Sequence, residues 1–523
     1  MLLRRYAIMN LYATMFSAYT ETRRNNSNFF KGAYITLDSK YDIKSTEIKL
    51  TPGCLIHFIG IGGSSMSGIA EIALHRGYKV TGSDRSDSNS TERLANLGAG
   101  IFIGHNENNL SEDCSLVVYT LAISDDNPEF TKALKNNIPV IERGAFLGAL
   151  SREYKCSIAV SGTHGKTTTT SMLASVLIAG DMDPSIHVGG IIQTLGTNVK
   201  TGHGDLFVTE ACEYHANFLN LSPQICIILN IEAEHLDFYK DLDDIKNAFK
   251  ELANKVPSEG WLILCSDDKD TLDIAKHAHC NIATYGIEPL STKIKNADGK
   301  FSVLHYNASE VTATGHHTDC VIDDGYEFSV CKNGEILVHT KLHVPGKHNM
   351  LNALATAAAA DIAGCPSYGI SEGLKQFKGA GRRYELVGKV NGAFIIDDYA
   401  HHPTEIKATV EAAHTTTSGK IWSVFQPHTY SRALNFHCEF CEAFKKSDFV
   451  IVTDIYAARE PFTDEISGES LAKEFSACGI DAVYIAEFKN IASYLKSKVQ
   501  KDDTILLLGA GTVNHIAKLL KED

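Results

Sequence analysis

The chain has 523 residues, 44% of them hydrophobic and 21% charged, with a formal net charge of -14; it is long enough for about three globular domains and too acidic for a general binder of nucleic acid or of an anionic membrane. No apolar run approaches the roughly 18 residues that span a bilayer. Thirteen cysteines are scattered without a framework, and the nearest pairs, such as Cys438 and Cys441, form a CxxC with no second CxxC, which reads as reduced thiols of a cytoplasmic protein.

Residues 1–50 form an N-terminal extension. Arg4 and Arg5 precede any acid, the first being Glu21, so a transit peptide is one reading; an extension or an early start codon, with Met9 or Met15 as later starts, is the other. Over 51–153 the run Leu55-Ile56-His57-Phe58-Ile59 predicts a buried strand. It enters the turn Gly60-Ile61-Gly62-Gly63 and a helical pattern through His75. A second strand, Tyr78 to Thr81, ends in Gly82-Ser83-Asp84. Strand, glycine turn, helix, strand and acid are the order of a dinucleotide-type βαβ unit, although Ser65 replaces the third glycine of GxGxxG. That geometry suits a nicotinamide dinucleotide or the diphosphate of a nucleotide sugar equally.

Residues 154–364 open on the most informative stretch. Cys156 to Val160 reads as a strand that delivers Ser161-Gly162-Thr163-His164-Gly165-Lys166-Thr167-Thr168 into a helix. Gly162 and Gly165 let the backbone bend around an anion, the amides of the new helix point at it, Lys166 reaches β- and γ-oxygens, and the Thr167 hydroxyl can ligate Mg²⁺. The spacing departs from GxxxxGK[ST], since Val160 stands where the first glycine would fall. Two further strands lead into acids and a histidine, Glu210-Ala211-Cys212-Glu213 and Asn230-Ile231-Glu232-Ala233-Glu234-His235-Leu236-Asp237, at the sheet edge where ligands bind. Residues from Thr284 to Val344 alternate as β-structure and predict a small antiparallel appendage; Pro345-Gly346-Lys347-His348-Asn349-Met350-Leu351-Asn352 then opens an alanine-rich helix.

The last segment, 365–523, again alternates strand and helix. Strand exits carry Asp397-Asp398-Tyr399-Ala400-His401-His402, then Gln426-Pro427-His428-Thr429-Tyr430-Ser431-Arg432, then the turn Gly509-Ala510-Gly511-Thr512. The fold class expected is α/β in three domains: an N-terminal Rossmann-like domain, a central P-loop ATPase domain and a C-terminal Rossmann-like domain.

These motifs, in this order over about residues 54–520, resemble the Mur ligase family. The markers are GIGGSSMSG at 60–68, SGTHGKTTTTSM at 161–172, EHLDFY at 234–239, GKHNMLNALA at 346–355, GRRYE at 381–385, DDYAHHPTE at 397–405 and QPHTYSR at 426–432. The resemblance is greatest to the branch that joins L-alanine to UDP-N-acetylmuramic acid with ATP and Mg²⁺, in the cytoplasm, on the way to peptidoglycan. It implies no nucleic-acid or membrane partner.

By that resemblance ATP is held by Gly162, Thr163, His164, Gly165, Lys166, Thr167, Thr168, His348, Asn349, Asn352, Arg383 and Asp398. Metal ligands are Thr167, Glu213 and His235, with Glu210 as the alternative carboxylate. Gly60, Gly62, Gly63, Asp84, His105 and Thr120 meet the UDP-sugar, while Tyr399, His401, His428 and Arg432 form the amino-acid pocket. Lys166, His235, Arg383 and His401 carry catalysis. Arg432 would bind the incoming carboxylate with two parallel hydrogen bonds. Asp397 could instead be a helix N-cap or the functional acid in place of Asp398, and Asp237 a cap or a hydrogen-bonding support for the metal site.

Departures from the family pattern leave other readings open. Cys212-Glu213-Tyr214 stands where DES is common, Thr429 where an arginine often follows the histidine, and Glu234 where Asp is usual. A sister ligase adding a preformed peptide to the same UDP-sugar would share the ATP machinery. A nucleotide-binding protein without catalysis and an NAD-dependent oxidoreductase are the readings from other classes.

Overall fold

A computed structural model describes residues 51–521, except 125, 193–194, 291–293, 301–303, 315–316, 319–320, 323–324 and 459. The N-terminal extension lies outside the described residues. The described residues form two compact units: 51–66 with Gly77–Arg143, and Ser67–Arg76 with those from Gly144 onward.

The first unit is built on five parallel strands, β1 (Leu55–Ile59), β2 (Lys79–Asp84), β3 (Gly100–Ile103), β4 (Cys114–Tyr119) and β5 (Val140–Glu142), in the order β3-β2-β1-β4-β5. Strand order reverses beside β1, which places the glycine turn at the switch point where open sheets take ligands.

The second unit carries two sheets, each with its own core. Ten strands form the larger: β6 (Cys156–Ser161), β7 (Ser185–Ile192), β8 (Thr197–Lys200), β9 (Leu206–Glu210), β10 (Ile225–Ile228), β11 (Trp261–Cys265), β12 (Asn281–Gly286), β13 (Leu304–Thr314), then, past the short hairpin of β14 (His317–Thr318) and β15 (Val321–Ile322), β16 (Gly325–Lys332) and β17 (Glu335–Leu342). Their order is β17-β16-β13-β12-β11-β10-β6-β9-β7-β8. The expected appendage is instead an extension of this sheet, because β13 pairs parallel to β12 from Ala283↔Leu304 onward before turning into the antiparallel β16 and β17.

Ile225–Ile228 is buried at every residue, as a central parallel strand covered on both faces must be. The helix Lys166–Ala179 and the alanine-rich helix Lys347–Ile362 cover one face; Ala353, Ala357 and Ala360 are fully buried, and side chains this small let the helix lie close to its neighbours.

The smaller sheet has β18 (Glu385–Val390), β19 (Ala393–Asp398), β20 (Ile421–Phe425), β21 (Phe449–Val452), β22 (Ala482–Tyr484) and β23 (Thr504–Leu508), in the order β18-β19-β23-β20-β21-β22, parallel except for β18. Helix Pro403–Thr416 starts with proline at its first position, and His402 with Glu405 closes a capping box. Asp397 therefore caps no helix here; it pairs with Arg382 at 3.1 Å. No helix among the described residues is long and apolar enough to cross a membrane.

Candidate functional site

In the first unit the exits of β1 to β4 bring the predicted sugar-side residues together. Gly60 takes φ +82°, and the Gly62 amide donates to Asp84 Oδ2 at 2.8 Å, so the acid ending β2 fixes the glycine turn. A Cβ at Gly60 would stand 3.1 Å from Thr120 Cγ2, which puts Thr120 against the same turn. His105 Nδ1 lies 2.9 Å from Ser83 Oγ, which itself donates to the buried Glu129 at 2.5 Å. Glu129 also accepts from Asn109 at 2.7 Å and approaches His57 at 3.3 Å. Burial opposes its charge, yet His57 and Ser83 hold its carboxyl below the usual range. Glu129 is a support for His105 that carries no motif.

The phosphate loop is clamped from behind by the segment after β10. Thr163 N donates to Asn230 O at 3.0 Å, His164 N to Asn230 Oδ1 at 2.7 Å, and Glu232 N to Thr163 Oγ1 at 2.8 Å. Gly162 and Gly165 have φ of +136° and +84°, and a Cβ on Gly165 would come within 2.9 Å of Asn352 Oδ1. Only glycine fits that left-handed, crowded position at the helix start. Lys166 Nζ donates to the carbonyls of Gly162 at 2.6 Å and Thr163 at 2.9 Å and pairs with Glu213 at 2.8 Å. Burial opposes the ammonium, but Glu213 outweighs it and raises the lysine pKa.

Two carboxylates stand beside this loop in different company. Glu213, 3% exposed, meets Lys166 and lies 3.3 Å from His235 Nε2. Against burial, Lys166 and His235 hold it ionised. Glu210 hydrogen-bonds the Thr167 hydroxyl, burial pushes its pKa up, and its Oε1 has no hydrogen-bond partner. A buried carboxylate oxygen without a donor, next to a threonine hydroxyl, suits a hard cation. His235 sits at φ +54° and against the Tyr214 ring. Asp237 accepts from Tyr214 Oη at 3.0 Å, while Asp241 caps the next helix.

One cleft is lined by His164, Gly165, Thr168, His348, Asn349, Asn352, Arg383 and Asp398, eight of the residues predicted to hold ATP. Asn349 donates to Pro345 O at 2.6 Å and Asn352 to Asn349 Oδ1 at 3.3 Å, so the helix start fixes both amides. Burial lowers His348 to about 4, keeping it neutral. Asp398 accepts from Tyr384 N at 2.8 Å and Ala400 N at 2.7 Å; burial nevertheless pushes it up to about 6, against the pull of Arg383.

Glu405, which carries no role in the motif reading, ties the cleft together. Its Oε1 lies 3.2 Å from His164 Nδ1 and 3.4 Å from Arg383 Nη1, and its Oε2 accepts from the His401 amide at 3.2 Å. A capping-box glutamate three residues after His402 was the signal that could have found it. Burial opposes the His164 cation, but Glu405 and Glu232 raise it to about 9.

The predicted amino-acid pocket is assembled at the exits of β19 and β20. His401 Nδ1 donates to Tyr399 O at 3.0 Å, and burial holds the ring neutral, at about 3. His428 is likewise lowered, to about 4, by burial and by Arg432. Arg432 is 9% exposed and its donors are engaged: Nε and Nη2 on Glu234 Oε1 at 3.2 and 2.6 Å, Nη1 on His428 O at 2.9 Å. Thr429, at φ +66°, accepts from the Arg432 amide and caps the helix Tyr430–Asn435.

Fold and site together define an α/β ligase whose phosphate loop faces a second, C-terminal sheet. The family model for the Mur ligase catalytic domain matches residues 55–155, that for the Mur ligase middle domain 160–360, and that for the Mur ligase glutamate ligase domain 382–511. The chain belongs to the Mur ligase family. It is 44% identical over 468 residues to the UDP-N-acetylmuramate–L-alanine ligase of Acetivibrio thermocellus, covering 90% of this chain and 96% of that one. To the protein of the same name from Clostridium acetobutylicum it is 46% identical over 464 residues, 89% and 96% of the two chains. The crystal structure of UDP-N-acetylmuramate-alanine ligase from Thermotoga maritima matches with a TM-score of 0.69 at 28% identity, covering 89% of this chain and 97% of that one.

Proposed function

We infer that this chain joins L-alanine to UDP-N-acetylmuramate, converting ATP to ADP and phosphate, as a cytoplasmic step of peptidoglycan precursor synthesis. The observation that carries the reading is 44–46% identity to ligases of that name over about nine-tenths of the chain. The phosphate loop and the adenine-side asparagines sharing one cleft support the use of ATP.

The sugar's carboxylate is a poor acylating agent. Its oxygen attacks the γ-phosphorus, the bond to the β-phosphate oxygen breaks, and ADP leaves. The amine of L-alanine then attacks the acyl carbon, phosphate departs, and an amide remains. Such transfers need positioning and charge neutralisation more than covalent help. Lys166 and the loop amides would take the phosphate oxygens, with Arg383 reaching them from the C-terminal sheet. Thr167 with Glu210, and Glu213 with His235, are the residues that would hold Mg²⁺, which when bound supplies positive charge where phosphate and carboxylate, two anions, must meet. His401, neutral with Nδ1–H turned to Tyr399, would offer its Nε2 lone pair to the amino acid's nitrogen. For Arg432 to bind the carboxylate, that carboxylate must replace Glu234 or His428 on the guanidinium.

Phosphate release from ATP and Mg²⁺ tests the reading, with UDP-N-acetylmuramic acid and, in separate arms, L-alanine, glycine, L-serine or a muropeptide-type tripeptide. Release that needs both the sugar and L-alanine is expected. Release with the tripeptide alone would move the chain to the peptide-adding branch, and none with any acceptor would leave a binding protein.

A further inference from the structure

Away from the cleft, two helices of the smaller sheet's domain bring nitrogen, sulfur and oxygen donors to one point. His437 and Cys438 open the helix His437–Ala443, and Glu474 lies on the helix Gly468–Ala477. His437 Nδ1, Cys438 Sγ and a Glu474 carboxylate oxygen all lie within 4.8 Å of one another. The Nδ1 nitrogen is 3.6 Å from Cys438 Sγ and 2.6 Å from Glu474 Oε1. Around a tetrahedral ion with bonds of about 2.0–2.3 Å, neighbouring ligand atoms stand about 3.3–3.6 Å apart. The nitrogen–sulfur pair already has that spacing, and the nitrogen–oxygen pair reaches it by opening one hydrogen bond.

Phe444 and Phe475, both fully buried, pack 5.4 Å apart and lock the two helices to one another. Cys441 and Cys478 hydrogen-bond beside the triad, one buried and one exposed, as free thiols. None of these residues has a part in the ligase chemistry, and of the CxxC pair noted in the sequence only Cys438 joins the cluster.

We propose that His437, Cys438 and Glu474 form a site for a borderline divalent transition-metal ion of the Zn²⁺ class, with water in the fourth position, fastening the two helices together. One imidazole nitrogen, one thiolate and one carboxylate suit such an ion better than Mg²⁺, which takes oxygen ligands. On binding, the Cys438 thiol gives its proton to solvent and the His437 ring shifts its proton to Nε2, freeing the Nδ1 lone pair.

Co²⁺ added to the full-length protein in saturating Mg²⁺ is the probe. A thiolate-to-cobalt charge-transfer band growing to one equivalent, and erased by Zn²⁺, is expected. Cys212→Ser, which removes the exposed thiol beside Glu213, keeps the band, and Cys438→Ser abolishes it. His437→Gln and Glu474→Gln each weaken binding about tenfold or more, while ADP formation with Mg²⁺ stays at the wild-type rate. Should Cys438→Ser fail to fold, the two glutamine variants decide the matter. No band, a band that survives Cys438→Ser, or unchanged affinity in both glutamine variants overturns the proposal.

Discussion

Glu405→Gln should flatten the pH dependence of stability between pH 6.5 and 9.5. His164 moves from an ordinary value near 6.5 to about 9 in the folded protein, burial pulling it down and Glu405, then Glu232, lifting it further. A raised folded pKa contributes stability that is fully present below the unfolded value and lost as pH climbs through the folded one. At about 1.4 kcal/mol per pH unit, a rise from 6.5 to about 9 corresponds to about 3 kcal/mol, and the His164 side chain is only 13% exposed, so solvent screens little of it. Glu405 lies 3.2 Å from His164 Nδ1, whereas Glu232 stands 3.6 Å from Nε2, too far for a hydrogen bond. More than half of the pH-dependent part should therefore vanish with Glu405. Its other ionic partners, Arg383 and His401, do not titrate in this window, the first staying charged and the second held neutral by burial at about 3, and both cancel from the comparison.

Urea unfolding at pH 6.5, 8 and 9.5 measures this, read through the chain's two tryptophans. Trp261 lies in the larger sheet and Trp422 in the smaller, so the two sides of the His164–Glu405 contact report separately after selective replacement of either. The wild type should lose about 3 kcal/mol between the end points through His164, and Glu405→Gln less than half of that. Equal losses in the two proteins would refute the assignment of charge to His164.

Lys166→Ala should cut ADP formation about a hundred- to a thousandfold, the scale of one lost transition-state donor, with circular dichroism unchanged; normal ADP release would remove the lysine from the phosphate site. Glu210→Gln should raise the Mg²⁺ concentration for half-maximal rate about tenfold or more, a larger change than Glu213→Gln produces if Glu210 is the ligand beside Thr167, and titration of the rate with Mg²⁺ orders the two. In Gly165→Ala, backbone strain at φ +84° and the 2.9 Å approach to Asn352 should destabilise the loop by about 1–3 kcal/mol, seen as a raised KM for ATP and a lowered melting temperature.

Much of the site was legible because its residues sit in glycine-punctuated strand exits, where sequence order nearly fixes position in space. Gly162 to Thr168, Asp84 and the 346–352 helix start all lie where their segments predict. What escaped are pairings between distant segments. Glu234 and Arg432 are 198 residues apart in sequence and 2.6 Å apart in the structure, and neither local pattern announces the other. Glu129 hides in an ordinary amphipathic helix, and its role comes only from His57, Ser83 and Asn109 converging on it. Thr429 looks like a lost carboxylate contact in sequence, yet its backbone and hydroxyl start a helix. The strands β13, β16 and β17 at one end of the larger sheet pair antiparallel with one another and so read as a separate unit, and their sequence pattern does not reveal that β13 also pairs parallel to β12.

Some of the pairings that escaped, Glu234 with Arg432 among them, join the two sheets of the second unit. Segment 230–235 sends Glu232 to Thr404 Oγ1 at 2.6 Å and Glu234 to Arg432, while the phosphate loop sends His164 to Glu405. These contacts join charged or hydrogen-bonding groups, so an anionic ligand can replace an anionic side chain on the same cation without stranding it unpaired. On the proposed reading, a carboxylate arriving at Arg432 would displace Glu234, and phosphates arriving at His164 and Arg383 would compete with Glu405. A buried cation left without its partner costs about 3–5 kcal/mol, so exchange, rather than loss, is the inexpensive route. On that reading, occupancy of the two substrate sites would set which of these contacts hold the sheets together, so that their pairing would answer to ligand charge.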